Sequence, residues 1–161
     1  MEMTRVALRS AVPEDAGWIV ERHAALYAQE ACFDDSFRAV VRGVLDRFFA
    51  GASGRGWIAE QDGAPAGCIF CMMEEPGWAR LRLFLLEPEA RGTGMGRRLL
   101  ETCMAFAREN GAGAMRLSTH ESHEAACALY AKVGWIRVAS RPVQSYGCDL
   151  VEQDWEILFA P

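Results

Sequence analysis

The sequence predicts an α/β fold, a mixed and mainly antiparallel central sheet flanked by helices. Three observations carry that expectation. Strand-like and helix-like segments follow one another in the order β-α-α-β-β-β-α-β-α-β-β. Hairpin signals at Asp62-Gly63 and Glu74-Glu75-Pro76-Gly77 make the middle of the sheet antiparallel. One β-α-β crossover near the end supplies the parallel pair.

Val6-Ala7-Leu8-Arg9 reads as the first strand. Pro13-Glu14-Asp15 opens a helix, since proline suits the first helical position and acids suit the positive end of the dipole. That helix is expected to end near Ala28, with Ile19, His23 and Leu26 on one face and His23 half-buried. Asp34, Asp35 and Ser36 offer caps for a second helix, whose Phe37, Val40, Val41, Val44, Leu45 and Phe48 recur at helical spacing. Strands follow at Trp57–Glu60, Ala66–Met73 and Ala79–Leu86. A helix from about Gly94 to Asn110 buries Met95, Leu99, Cys103 and Phe106. A strand at Ala114–Thr119, a helix at about Ser122–Val133 and two more strands complete the chain; the last alternates Trp155, Ile157 and Phe159.

The 161 residues suit one domain, 1–161, with enough chain to bury a core without metal or disulfide staples. At 51% hydrophobic and 24% charged, the composition is that of an ordinary globular domain. A net charge of -5 argues against nucleic acid, because no broad basic face exists to release counterions from phosphates. No membrane partner is expected, since no run reaches the roughly 20 apolar residues of a span. Met1-Glu2-Met3-Thr4-Arg5 lacks the apolar core of a secretory signal, so a cytoplasmic location is the default. Cys68 and Cys71 form a C-x-x-C within a strand, where residues three apart point to opposite faces, and no second pair completes a ligand set. No metal is expected.

The stretch Leu85-Leu86-Glu87-Pro88-Glu89-Ala90-Arg91-Gly92-Thr93-Gly94-Met95-Gly96-Arg97 carries the chemistry. An apolar strand enters a glycine-punctuated loop and then a helix. Glycine lets backbone approach a ligand closely, and the first helical turn has unpaired N–H groups that favour an anion. The spacing fits neither the dinucleotide G-x-G-x-x-G nor a Walker loop, which needs Gly-Lys-Ser/Thr.

Arg91-x-x-Gly94-x-Gly96 matches the R/Q-x-x-G-x-G/A signature, and the chain resembles the GNAT N-acetyltransferases over essentially its whole length. A second similarity is Ala125-Ala126-Cys127-Ala128-Leu129-Tyr130-Ala131-Lys132-Val133-Gly134-Trp135, with Trp135 where the family usually has Phe. Gly56–Glu60, Leu81–Pro88 and Tyr146–Trp155 look closer still to acetyltransferase domains fused to MarR-type regulators. The regulator's helix-turn-helix is absent, so no DNA role carries over.

The resemblance implies the GNAT acyl-CoA N-acyltransferase fold and acetyl-CoA as co-substrate. Arg91, Gly92, Thr93, Gly94, Met95, Gly96 and Arg97 would cradle the pyrophosphate, and an N–H near Leu85 or Leu86 would polarise the thioester carbonyl. Tyr130 would protonate the departing thiolate. His123 stands where family members often carry the Asn that binds pantetheine, and imidazole could replace that contact. Dimerisation is common in the family, so a homodimer is allowed, though no interface is legible.

The acceptor amine needs a proton sink. His120 and Glu121 end the strand that borders the acyl cleft; they are either that base or ordinary polar residues between strand and helix. Glu30, Asp34 and Asp35 lie on the helix–helix connection that covers the acceptor in the family. They either cap helices or bind a cationic acceptor such as a polyamine or amino sugar, with Tyr27 and Phe33 walling the same pocket. The leading expectation is an N-acetyltransferase acting on a small-molecule or peptide amine. The alternatives are a transferase using another acyl-CoA and a catalytically silent CoA-binding module.

Overall fold

The computed structural model describes residues 5–161. Its strands are β1 (Val6–Ser10), β2 (Gly54–Gln61), β3 (Ala64–Met73), β4 (Trp78–Leu86), β5 (Ala114–His120), β6 (Ile136–Ser145) and β7 (Cys148–Leu158). Its helices are α1 (Ala16–Ala31), α2 (Ser36–Phe49), α3 (Met95–Glu109) and α4 (Glu124–Val133). Element order agrees with the sequence reading. The first helix runs on to Ala31 and stops where Cys32 turns left-handed at φ 55°.

The strands form one seven-stranded sheet in the order β1-β2-β3-β4-β5-β7-β6. Every neighbouring pair is antiparallel except β4–β5. The expected mixed α/β class is what forms. Helices α1 and α2 bury Ile19, Val20, Val41 and Leu45 against Ile58, Cys68 and Phe70. Helix α3 buries Met95, Leu99 and Cys103 against the other face, on Ile69, Cys71 and Met115. Cys68 and Cys71 thus face different layers, as strand alternation requires.

Two irregularities of β4 shape everything that follows. Between the pairs Cys68–Leu85 and Phe70–Arg82, β3 contributes Ile69 while β4 contributes both Leu83 and Phe84. This is a β-bulge, with Leu83 at φ 52° and its carbonyl accepting the Cys68 thiol at 3.1 Å. The extra residue changes the phase of the strand. Ala79 and Leu81 face α3, and after the bulge Phe84 and Leu86 do so, while Leu83 and Leu85 turn to α1 and α2. The second irregularity is on the other edge. β4 pairs with β5 at Trp78–Ala114, Ala79–Met115 and Arg80–Arg116, and beyond these the strands part. A bulge bends a strand and increases its twist, which carries the second half of β4 away from β5.

His23 lies deeper than the sequence suggested, at 1% exposure. Its Nδ1 sits 2.8 Å from the Ile19 carbonyl, and its Nε2 is buried without a partner. Burial pushes its pKa down to about 4, with the Ile19 contact opposing. In the unfolded chain the imidazole takes a proton below about pH 6.5, whereas in the folded chain it resists until far lower pH. The folded state therefore binds fewer protons in that window, and stability rises with pH across it. We expect its contribution to be complete above pH 6.5 and to fall by on the order of 3 kcal/mol between pH 6.5 and 4. His23→Asn retains a donor for Ile19 but cannot charge. Thermal melts should show a lower optimum for this variant and a flatter acid slope than the native chain; parallel slopes would remove His23 as the titrating group.

Candidate active site

Where β4 and β5 part, a cavity of about 1010 Å³ opens. It runs from the first turn of α3, through the gap in the sheet, to the underside of α1 and α2. Leu86, Gly94 and Gly96 line one end; Thr119, His120 and Tyr130 lie along the walls; Tyr27, Arg82 and Tyr146 line the other.

The loop before α3 is built to present amides. Gly92 and Gly94 have φ of 75° and 86°, left-handed values that a Cβ would strain, and a Cβ at either would meet nothing within 4 Å. Glycine is needed here for conformation and not for space. The Thr93 hydroxyl donates to the Ala90 carbonyl and fixes the turn. Among the described residues, the N–H groups of Gly92, Thr93, Gly94, Gly96 and Arg97 donate to nothing, and Met95 N–H reaches only Thr93 Oγ1 at 3.4 Å. The helix dipole adds to these free donors. Together they fit an anion such as a diphosphate.

Deeper in, Glu87 donates its N–H to the Ala66 carbonyl of β3 at 2.8 Å. Strand alternation turns the Leu86 N–H the opposite way, toward the gap left by β5, while Leu85, paired with Cys68, directs its amide at β3. Tyr130 is 3% exposed and packs at tilted angles against Phe84, Trp135 and Trp155. Its hydroxyl bonds to no described residue, and burial pushes its pKa well up.

His120 and His123 stand together near the centre of the cavity wall, ring centroids 5.7 Å apart. His123 Nδ1 lies 3.0 Å from Thr119 Oγ1, and its Nε2 is buried without a partner. Burial, then the neighbouring His120, pushes its pKa down to about 4. His120 Nδ1 is likewise buried and unpartnered, leaving Nε2 as the accessible nitrogen. Burial lowers its pKa too, with Glu152 opposing. An aromatic shell supplies the burial: Tyr27 lies 4.5 Å from His123, and Phe33 lies 5.3 Å from His120.

The remaining sequence candidates are distributed differently from the expectation. Glu121 is exposed on the turn after β5 and does not line the cavity. Asp34 is exposed as well; its carboxylate accepts the Ser36 N–H at 3.0 Å and the Ser36 hydroxyl, which opens α2. Asp35 holds Arg38. Glu30 does line the cavity, but both its oxygens are taken by the Arg91 guanidinium at 2.8 and 2.7 Å, and that contact keeps the carboxyl below its usual range. Arg91 and Glu30, expected on separate tasks, form one clamp. Tyr27 lines the cavity, whereas Phe33 backs the wall beneath Tyr146, centroids 4.7 Å apart.

Sequence reasoning did not single out Tyr146 or Arg82. Tyr146-Gly147 forms a tight hairpin turn between β6 and β7, with φ of 55° and 73°. The Tyr146 carbonyl accepts the Asp34 N–H at 2.8 Å, tying this turn to the α1–α2 connection. The two-residue turn with glycine second was the available signal for the hairpin; nothing local marked its tyrosine as a cavity residue.

Residues 19–135 match the family described as Acetyltransferase (GNAT) family. The IAA acetyltransferase of Azospirillum brasilense is 35% identical over 94 residues, covering 57% of this chain and 60% of that protein. An uncharacterized protein of Mycobacterium leprae is 44% identical over 57 residues, covering 35% of this chain and 15% of that protein. The alignments therefore span less than two thirds of either relative. Among solved structures, yncA from Salmonella typhimurium, determined with its cofactor acetyl-CoA, superposes with a TM-score of 0.78 at 18% identity, covering 96% of this chain and 94% of that one. A GNAT-family acetyltransferase from Staphylococcus aureus Mu50 gives 0.81 at 13% identity, covering 97% and 100%. These likenesses show a shared fold. The sequence match takes in the glycine loop and both walls of the parted seam, so this chain belongs to the acetyltransferase (GNAT) family.

Proposed function

We propose that this protein moves an acetyl group from acetyl-CoA to the amine of a small molecule or peptide. The observation that carries the reading is the set of unclaimed amides at Gly92, Thr93, Gly94, Gly96 and Arg97, beside a cavity of about 1010 Å³ lined from the glycine loop to α1 and α2. The orphaned Nε2 of His123 supports it, because a buried ring nitrogen without a partner suits a polar atom of a ligand arm.

Acetyl-CoA supplies an acyl thioester when bound. The loop amides hold its diphosphate, and the Leu86 N–H donates to the thioester carbonyl as negative charge grows on that oxygen. His120 Nε2 accepts a proton from the acceptor amine; its lowered pKa leaves it neutral and able to do so at pH 7. As the new N–C bond forms and the C–S bond breaks, the Tyr130 hydroxyl delivers its proton to the departing sulfur. Burial keeps that proton on Tyr130 until a thiolate needs it. Glu121, turned to solvent, takes no part.

Calorimetry with CoA and thiol release from acetyl-CoA over an amine library test this reading; absence of CoA binding would end it. Tyr130→Phe should lower kcat by about 10²-fold while CoA affinity stays within about twofold, because only a proton donor is lost. Unchanged kcat would remove Tyr130 as the acid. For His120→Gln, kcat should fall similarly, and the acidic limb of the pH profile, set below pH 6.5, should vanish; retention of that limb would assign the base elsewhere. Gly94→Ala places a Cβ at φ 86° and should cost roughly 1 kcal/mol of stability with weaker CoA binding. A variant of native stability would contradict the strain argument.

A further inference from the structure

Four guanidinium groups line the cavity, those of Arg80, Arg82, Arg91 and Arg97. Three are matched: Arg80 by Glu74 at 2.9 Å, Arg91 by Glu30 at 2.7 Å, and Arg97 by Glu101 at 2.7 Å. Arg82 makes no ion pair or hydrogen bond with any described residue, although it is only partly exposed. A guanidinium withdrawn from water without a partner carries a desolvation cost that an incoming anion relieves.

Its position is specific. Arg82 is the residue of β4 just before the bulge, opposite Phe70, and it follows the last β4–β5 pair at Arg80–Arg116. It therefore stands where the gap in the sheet begins, on the face toward α1 and α2, away from the glycine loop. The carboxylates nearby are engaged elsewhere. Glu74 bridges Arg80 and Arg116, while Arg141 holds both Glu152 and Asp154. Burial depresses the Arg82 proton affinity, and Arg80 and Arg47 add to that effect against the weaker pull of Glu74 and Tyr146. This corner is electropositive and short of an anion. The acidic residues that suggested a cationic acceptor are consumed by Arg91, Ser36 and Arg38.

We infer that Arg82 receives a carboxylate of the acceptor, so that the preferred acceptor is an amine that also carries a carboxylate, and not a polyamine or other polycation. The inference rests on the acetyltransferase reading above and names its substrate class. The planar guanidinium meets a carboxylate with two parallel N–H donors, which orients as well as attracts. With the carboxylate held before the bulge, the amine end extends along β4 toward Leu86, where the thioester carbonyl would lie. Val40, Val41 and Val44 of α2 give the same cavity an apolar wall for the carbon body between.

The test is thiol release from acetyl-CoA over a library in which each aminocarboxylate, chain-extended ω-amino acids with the amine several carbons from the carboxylate among them, is paired with its own carboxamide, with spermidine added. The native protein should favour acid over amide by about 50-fold or more in kcat/KM, since a site built around a charged partner rejects the analogue lacking it. In Arg82→Gln that ratio should collapse toward one, mainly through KM for the acids, with carboxamide turnover kept within about threefold. Arg82→Lys should recover part of the ratio, because the charge returns without the fork. Melting temperature and CoA affinity, measured on each variant, separate a folding defect from a selectivity change. A ratio near one in the native protein, a ratio unmoved by Arg82→Gln, a preference for spermidine, or no aminocarboxylate acetylated would each overturn the inference. Those outcomes with CoA still bound and amines still acetylated would leave the transferase reading standing; loss of CoA binding itself would remove both.

Discussion

The organising constraint of this molecule is that β4 cannot pair along its whole length with β5. Pairing holds at Trp78–Ala114, Ala79–Met115 and Arg80–Arg116 and then stops, because the bulge at Leu83 and Phe84 re-aims the rest of β4. A sheet interior that loses a neighbour exposes backbone donors and acceptors that folding alone cannot satisfy. The cavity is the direct result. It brings to one place the Leu86 amide on a parted edge, the first turn of α3 and the start of α4, each with N–H groups or side chains in want of a partner. A ligand there completes hydrogen bonding that the fold itself leaves open.

Helix α1 closes this gap from above, and two arginine–carboxylate contacts fix where it lies. Arg22 of α1 grips Glu87 at the end of β4, one contact at 2.8 Å, and Glu30 near the end of α1 grips Arg91 of the glycine loop at 2.7 Å. Half-exposed pairs of this kind contribute little to global stability, about 1 kcal/mol or less. Their consequence is positional: paired donors and acceptors set the register between a helix and a loop that are distant in sequence. They also change the electrostatics of the cavity, since a carboxylate bound to arginine no longer attracts a cation. The formal charge of -5 is thus a poor guide to the potential inside the cleft.

This explains which features could be read from the chain. The glycine loop, the amphipathic α3 and the Asp62-Gly63 hairpin are local: each is specified by residues within one turn or one helix of each other. The bulge is not. Leu81-Arg82-Leu83-Phe84-Leu85-Leu86 contains no glycine, proline or asparagine to mark an irregularity, and the extra residue is imposed by pairing with β3. For the same reason nothing in the sequence sets Arg82 apart from Arg80, the other charged residue of its strand. Its lack of a partner is visible only after Glu74, Glu152 and Asp154 are seen bound to other arginines. Tyr146 belongs to a turn far from the loop in sequence and reaches the cavity through β6 and β7.

One physical cause also sets the protonation of the cleft. The rings of Tyr27, Phe33, Phe37 and Tyr146 pack against one another and exclude water from the two histidines. Tyr130 is buried separately, among Phe84, Trp135 and Trp155, and because desolvation disfavours whichever form is charged, burial pushes a phenol up and an imidazole down. Tyr130 is raised, and His120 and His123 are lowered, with burial the leading cause in all three. At neutral pH that leaves a protonated phenol and unprotonated imidazoles in one cavity without any charged residue having to arrange it. In the proposed reaction the acid and base act on opposite partners, sulfur and amine, and separation of the two proton affinities is what general acid–base transfer requires. The aromatic packing that looks like ordinary core around α1 and α2 is therefore what keeps the two histidines unprotonated.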